Sequence, residues 1–200
     1  MIITISGTPG SGKSTVAKLL VKALGAERIY VGGMRRELAK ERGITLIELN
    51  EYAKTHSETD VDVDKKASEL AKKLEKEGKI VIAEGHTQFY FIPDSIKIFI
   101  KVDPEEAARR IWKDLQQKET RDARNEGNIS SLEQMKRRVQ ERFKEDNARY
   151  QKYYGLDYLD ESHYDLVIDS TTITAEQVTE KILLFLKGKR ALKKKKSGSL

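Results

Sequence analysis

Short apolar runs rich in β-branched residues alternate with stretches of helical periodicity along the chain. Such runs, bounded by polar or glycine-containing segments, are typical of buried strands. We predict strands at 2–5, 28–31, 79–83, 96–102 and 165–168. Because helical stretches separate them, the connections are crossovers, and the pattern predicts a five-stranded parallel sheet with helices on both faces, a three-layer α/β/α fold. The run 96–102 alternates Ile and Lys, which predicts an edge strand.

Capping signals place several helices. Asp103 followed by Pro104 predicts a helix start, and the S-x-x-E spacing from Ser130 to Glu133 predicts a second one. The polar segment 121–127 between them predicts a loop. The apolar stripe of 176–186 predicts a final helix that docks on the core.

Two helical excursions leave the predicted sheet. Residues 34–78 follow the second strand and residues 105–153 follow the fourth, and both are expected to be movable flaps on a rigid sheet. We expect one domain over residues 1–186 and a basic, disordered tail over 187–200.

One motif carries a specific chemistry. Residues 7–14 read GTPGSGKS and match G-x-x-x-x-G-K-[ST] between a predicted strand and a predicted helix. Glycines let backbone N–H groups converge on phosphate oxygens at the positive end of the helix. Lys13 is predicted to reach the β- and γ-phosphates, and the Ser14 hydroxyl to ligate Mg²⁺. We therefore predict a P-loop that binds ATP and Mg²⁺.

Other features narrow the class of P-loop protein. The chain has no N-K-x-D motif of the kind that reads guanine, and its third predicted strand ends in the acid Glu84, for which the alternative is a carboxylate in a loop or at a helix start. Kinases for small molecules need cations over the transferring group and a lid that excludes water. Eight arginines crowd the second excursion, and at least half are expected to be paired on the surface: Arg109, Arg110, Arg121, Arg124, Arg137, Arg138, Arg142 and Arg149.

The residues resemble the nucleoside monophosphate kinase family, and within it the archaeal cytidylate kinases, over about residues 1–186. Beyond the P-loop, the resemblance rests on segments that lie in both excursions and near the last strand: 36–43, 48–53, Asp60 with Asp64, Glu84 with Gly85, Arg142, 149–150, 154–157 and 164–168. It implies an acceptor-binding flap, a helical lid that carries arginines, and transfer of a phosphoryl group from ATP to a nucleoside monophosphate.

The resemblance also implies roles for single residues. Gly7, Thr8, Pro9, Gly10, Ser11, Gly12, Lys13, Ser14 and Thr15 would hold ATP. Lys13, Arg110 and Arg142 would be catalytic, with Ser14 on the metal. The acceptor would be bound by Arg36, Asp60, Asp64, Gly85, His86 and Arg149. For Asp60 and Asp64, the alternative is an exposed helix start.

The chain departs from the family at two positions. Gly33 stands where the family usually has an acidic residue after the flap glycine, and His86 stands where Glu-Gly is commonly followed by Arg. His86 is expected either to donate to a phosphate in a pH-dependent way or to be a surface histidine. Both positions fall where the acceptor nucleotide would bind.

Composition and charge set further limits. The chain has 200 residues, no cysteine and a formal charge of +6, but seven positive charges lie at or beyond Lys187, so the rest is nearly neutral. The absence of cysteine excludes disulfides and cysteine-based metal sites. With no membrane span and no signal peptide predicted, we expect a cytoplasmic monomer.

The sequence therefore predicts a kinase that prefers CMP or dCMP. Two alternatives stay open: a kinase for AMP, UMP or another small phosphorylated molecule, and an ATP-dependent factor that binds RNA through the basic tail.

Overall fold

The computed structural model describes residues 1–124 and 128–197. Its strands are β1 (Ile2–Gly7), β2 (Glu27–Tyr30), β3 (Val81–Glu84), β4 (Ile96–Lys101) and β5 (Leu166–Asp169). They form one parallel sheet in the order β2-β3-β1-β4-β5, which confirms the predicted fold class. The strand β4 lies between β1 and β5, so the prediction of an edge strand is wrong. The alternation of Ile and Lys reflects how the two faces of the strand are covered. Whether a strand lies at the edge depends instead on hydrogen bonds between backbone groups of neighbouring strands.

Helices cover both faces of the sheet. They are α1 (Lys13–Leu24), α2 (Val31–Glu41), α3 (Leu46–Ala53), α4 (Glu58–Lys76), α5 (Gln88–Phe91), α6 (Pro104–Leu115), α7 (Lys118–Arg124), α8 (Leu132–Tyr154) and α9 (Ala175–Ser197), with a 3₁₀ turn at Glu161–His163. No helix in the described ranges is long and apolar enough to cross a membrane.

Successive residues of β1 enter different cores, as the alternation of side chains along a strand requires. Ile3 and Ile5 pack with α1 and α9 on one face, while Ile2 joins the cluster that contains Ala67 and Ala71 of α4 on the other. These two apolar clusters cover opposite faces of the sheet, and the segments after β2 and β4 are attached to it.

Three local predictions differ from the structure. Residues 118–124 form α7 rather than a loop, while 125–127 lie outside the described residues. The N-cap of α8 is Ser131, whose hydroxyl accepts from the Gln134 amide, and not Ser130. Helix α9 continues to Ser197 through most of the predicted disordered tail, because Ala, Leu and Lys are strong helix formers. Residues 198–200 are outside the described range.

Candidate active site

The P-loop joins β1 to α1 at the carboxyl edge of the sheet. Gly7 has φ +144°, and a Cβ atom there would lie 2.0 Å from the Ile100 carbonyl oxygen, so only glycine fits. Gly12 has φ +85° and is the N-cap of α1, which begins at Lys13. The predicted strand, turn and helix are therefore present, with the positive end of α1 facing the loop.

Lys13 is turned into the loop. Its Nζ donates to the carbonyl oxygens of Gly7 at 2.8 Å and Thr8 at 2.6 Å. Burial lowers the pKa of Lys13 to about 7; Glu84 opposes this shift, and the positive charge of Arg142 adds to it. A phosphate bound near Lys13 Nζ would favour the charged ammonium and so raise its pKa.

Ser14 and Glu84 lie side by side below the loop. The Ser14 hydroxyl donates to Glu84 Oε1 at 2.5 Å, and Arg28 Nη2 lies 2.5 Å from Glu84 Oε2. Glu84 is the last residue of β3, as predicted, and is 2% exposed. A hydroxyl beside a carboxylate is a hard oxygen donor set that fits Mg²⁺ held mainly by phosphates and water. Among the described residues, no group of three or more acidic, His or Cys side chains could bind a metal without a nucleotide.

A second group of charged side chains lies deep between α4 and α8. Arg149 Nε donates to Asp60 Oδ2 at 2.6 Å, and Arg149 Nη2 donates to Asp146 Oδ1 at 2.8 Å. Arg35 Nη1 also donates to Asp60 and donates to the Thr59 carbonyl at 3.1 Å. Asp60 is 2% exposed and Asp64 is 4% exposed, so the alternative of an exposed helix start is wrong for both.

Asp146 connects these residues to the P-loop. Burial alone would raise the pKa of Asp146, but Arg149 and Arg142 hold it well below its usual range. Arg142 Nε lies 3.6 Å from Asp146 Oδ2, and the charges of both residues act on Lys13. The structure thus brings Arg142 and Lys13 to the same region, although 129 positions separate them.

His86 lies next to this region. Its Nδ1 is buried without a hydrogen-bond partner, and its ring lies edge-on to Tyr158 at 4.9 Å between centroids. Burial and then the charge of Lys13 lower the pKa of His86 to about 3. The imidazole is therefore neutral near pH 7, and its buried Nδ1 does not fit the alternative of a surface histidine. Its role beside a phosphate stays a prediction.

Asp64 and Gly85, both predicted to bind the acceptor, lie in separate places. Asp64 accepts from Tyr154 Oη at 2.8 Å and Gln88 Nε2 at 3.2 Å, and burial raises its pKa to about 6. A Cβ atom on Gly85 would lie 2.9 Å from Val31, so glycine allows β3 to end close to α2.

Arg110 lies elsewhere. Its Nη2 donates to the Ser170 carbonyl at 2.7 Å and to the Thr171 carbonyl at 3.2 Å, and its Nε donates to Glu106. A cavity of about 470 Å³ lies between Arg110, the P-loop residues Ser11, Gly12 and Thr15, and the loop 170–174. Its size is suitable for part of a small ligand. The two predicted catalytic arginines therefore lie at different parts of the site.

Several site residues were not found from the sequence. Tyr30 accepts from Arg36 Nη1 at 2.7 Å, and Arg36 Nε donates to the Arg124 carbonyl at 3.0 Å. Arg28, Arg35 and Asp146 were missed as well. A signal existed for Arg35, since Val31, Arg35 and Ala39 recur every four residues and form the buried face of α2.

The chain is similar to known proteins over most of its length. Residues 3–136 match a protein family described as an AAA domain. The cytidylate kinase of Archaeoglobus fulgidus is 37% identical, with 92% of this chain and 93% of that protein covered. The cytidylate kinase of Sulfurisphaera tokodaii is 35% identical, with 93% and 95% covered.

Solved structures support the fold alone. An uncharacterised protein from Eubacterium ventriosum aligns with a TM-score of 0.66 at 18% identity, covering 94% of this chain and 98% of that one. A shikimate kinase from Acinetobacter baumannii aligns with a TM-score of 0.53 at 18% identity, covering 94% and 93%. With the sequence relatives and the P-loop, these findings show that the chain belongs to the cytidylate kinase family and is a P-loop nucleoside monophosphate kinase.

Proposed function

We propose that the protein transfers the γ-phosphoryl group of Mg·ATP to CMP or dCMP. The observation that carries the proposal is the position of Lys13, whose Nζ donates to P-loop carbonyls and whose pKa responds to the charges of Glu84, Arg142, Asp146 and Arg36. The relatives' names support the choice of acceptor, since those at 35–37% identity are cytidylate kinases.

The donor nucleotide is assigned to the P-loop side. Residues 7–15 hold its phosphates through backbone N–H groups, and the cavity beside Arg110 takes its nucleoside end. When Mg²⁺ is bound, it neutralises charge on the phosphates that Ser14 and Glu84 face.

The acceptor is assigned to the space between α2, α4, the end of β3 and α8. Arg36 would hold its phosphate, with Arg149, His86 and Gly85 beside it and Asp60 and Asp64 nearer the base. In this arrangement α2–α4 form the flap, and α6–α8 form the lid.

The chemistry is an in-line displacement. An oxygen of the acceptor's phosphate forms a bond to the γ-phosphorus, the bond from that phosphorus to the β–γ bridging oxygen breaks, and ADP leaves with the electron pair. The acceptor oxygen is already an anion, so no side chain is needed as general base. Lys13 and Arg142 stabilise the charge that spreads over the transferring group.

The test is ADP release with Mg·ATP and a panel of CMP, dCMP, UMP, AMP and GMP. We expect turnover with CMP and dCMP, and a loss of about 10³-fold in Lys13→Ala. Lys18→Ala, an exposed residue of the same helix, is the matched control. Turnover confined to another acceptor would overturn the CMP assignment, and no turnover with any of the five would overturn the proposed function.

A further inference from the structure

The Tyr30 ring occupies the space into which a side chain at position 33 would extend. A Cβ atom on Gly33 would lie 2.5 Å from Tyr30 Cδ1 and 3.0 Å from Cε1. No real Cβ contact is that short, and the atoms it would meet belong to a rigid ring. Gly33 lies in helical α2, where alanine is otherwise favourable, so the ring alone excludes a side chain there.

The same tyrosine contacts two arginines. Its hydroxyl accepts from Arg36 Nη1 at 2.7 Å, and the Arg28 guanidinium lies 4.4 Å from its ring centroid. Arg28 in turn pairs with Glu84, beside Ser14. Tyr30 therefore lies between Arg28, which pairs with Glu84 beside Ser14, and Arg36, which would hold the acceptor's phosphate.

Hydrogen bonds to a charged group are stronger than neutral ones, and a cation held in one orientation loses less entropy when it binds an anion. The Gly32 carbonyl also accepts from Arg36 Nη1, at 3.0 Å. Tyr30, the last residue of β2, and Gly32, in the first turn of α2, therefore hold the Arg36 guanidinium together with the Arg124 carbonyl, which accepts from Nε at 3.0 Å.

We propose that Tyr30 is a positioning residue for the acceptor site: its ring replaces the side chain at position 33, and its hydroxyl orients Arg36 toward the acceptor's phosphate. The second part of this inference rests on the proposed function, because that function assigns the phosphate to Arg36.

The first test needs no activity. Gly33→Ala should lower Tm by about 3 °C or more, because it overpacks the Tyr30 ring, and the loss should disappear in Tyr30→Ser. Gly188→Ala, in a helix with nothing within 4 Å of the added atom, is the control and should not lower Tm. If Gly33→Ala lowered Tm equally in the wild type and in Tyr30→Ser, the steric part of the proposal would be overturned.

The second test measures binding by calorimetry with the protein saturated with ADP. Tyr30→Phe should weaken CMP binding about 5–10-fold, leave the KM for ATP within about twofold, and leave Tm unchanged within about 2 °C. In an Arg36→Ala background, Tyr30→Phe should not weaken CMP binding further. Tyr164→Phe is the control: it removes tyrosine hydrogen bonds to the Tyr158 carbonyl at 2.7 Å and to Ser6 Oγ at 3.2 Å but none to Arg36, so any loss of CMP affinity should not depend on Arg36.

The outcomes separate this inference from the proposed function. Unchanged CMP binding in Tyr30→Phe, or an equal loss in the Arg36→Ala background, would overturn the role of Tyr30. If the protein phosphorylates none of the five nucleotides, inorganic phosphate replaces CMP as titrant. A loss of phosphate affinity that depends on Arg36 would then keep this inference while the proposed function fails, and its absence would overturn both.

Discussion

Asp60 of α4 and Arg149 of α8 form an ion pair in which both side chains are only 2% exposed, with 2.6 Å between Oδ2 and Nε. The pair joins the segment inserted after β2 to the segment inserted after β4. Arg35 shares the same carboxylate. Asp60 therefore balances the charges of two buried arginines, Arg35 and Arg149, and its removal should lower the free energy of unfolding.

Asp60→Ala should destabilise the protein by about 3–5 kcal/mol, because it leaves Arg35 and Arg149 without that carboxylate in the interior. Glu51→Ala is the control, since Glu51 is 69% exposed in its pair with Lys54 and should cost less than about 1 kcal/mol. Urea unfolding of both variants measures the difference. Small and equal losses of unfolding free energy in the two variants would show that the ion pairs of Asp60 contribute little to stability.

Binding of ATP should take up a proton at Lys13. With a pKa of about 7, Lys13 is mostly neutral at pH 8, and bound phosphates raise its pKa because they favour the charged form. We expect an uptake of up to about 0.9 proton at pH 8. Calorimetry in buffers of different ionisation enthalpy measures it.

Lys13→Arg is the matched control for this experiment. Arginine stays charged at pH 8, so the uptake should vanish even if affinity falls. An unchanged uptake in Lys13→Arg would assign the proton to another group, and no uptake in the wild type would contradict the neutral Lys13.

Asp64 should make stability depend on pH in a defined direction. Burial raises its pKa from 3.8 to about 6 in the folded protein, so its ionisation opposes folding. The free energy of unfolding, relative to Asp64→Asn, should fall by up to about 3 kcal/mol as pH rises from about 4 to about 6, and then stay level.

Denaturant titrations at several pH values check this slope. Asp62→Asn, on the exposed side of the same helix, should keep the wild-type slope. A difference between wild type and Asp64→Asn that does not change between pH 4 and 6 would contradict the raised pKa.

The two candidate catalytic arginines should have different kinetic effects. Arg110 borders the cavity beside the P-loop, so Arg110→Ala should raise the KM for ATP about 10-fold with a smaller change in kcat. The charge of Arg142 acts on Lys13, so Arg142→Ala should lower kcat by about 10²-fold or more.

Arg109→Ala is the control for both variants, because Arg109 adjoins Arg110 but pairs on the surface with Glu105 and Glu106. Steady-state kinetics with ATP varied at saturating acceptor measures the effects. Identical patterns in the two variants would mean that both arginines act on the same part of the nucleotide.

The wrong predictions for β4 and for the segment that forms α7 have a common physical origin. The lateral order of strands depends on backbone pairing, which the Ile–Lys alternation of β4 does not encode. The polar segment 118–124 forms α7 because it is attached to neighbouring helices: Arg124 pairs with Asp114 of α6, and the Arg124 carbonyl accepts from Arg36 of α2. Such contacts between distant segments leave no local pattern.

The sequence by itself determined the P-loop, the parallel α/β fold and the kinase family, because these depend on neighbouring residues: glycines that permit one turn, a following helix, and runs with a regular period. The tertiary structure decided how the residues of the proposed acceptor site are arranged, buried and paired. Tyr30, Arg36, Asp60, His86 and Arg149 come from separate elements, and their burial, pairing and charge states arise only when α2, α4 and α8 pack together. Desolvation and electrostatic coupling depend on distances in space, which residue order does not specify.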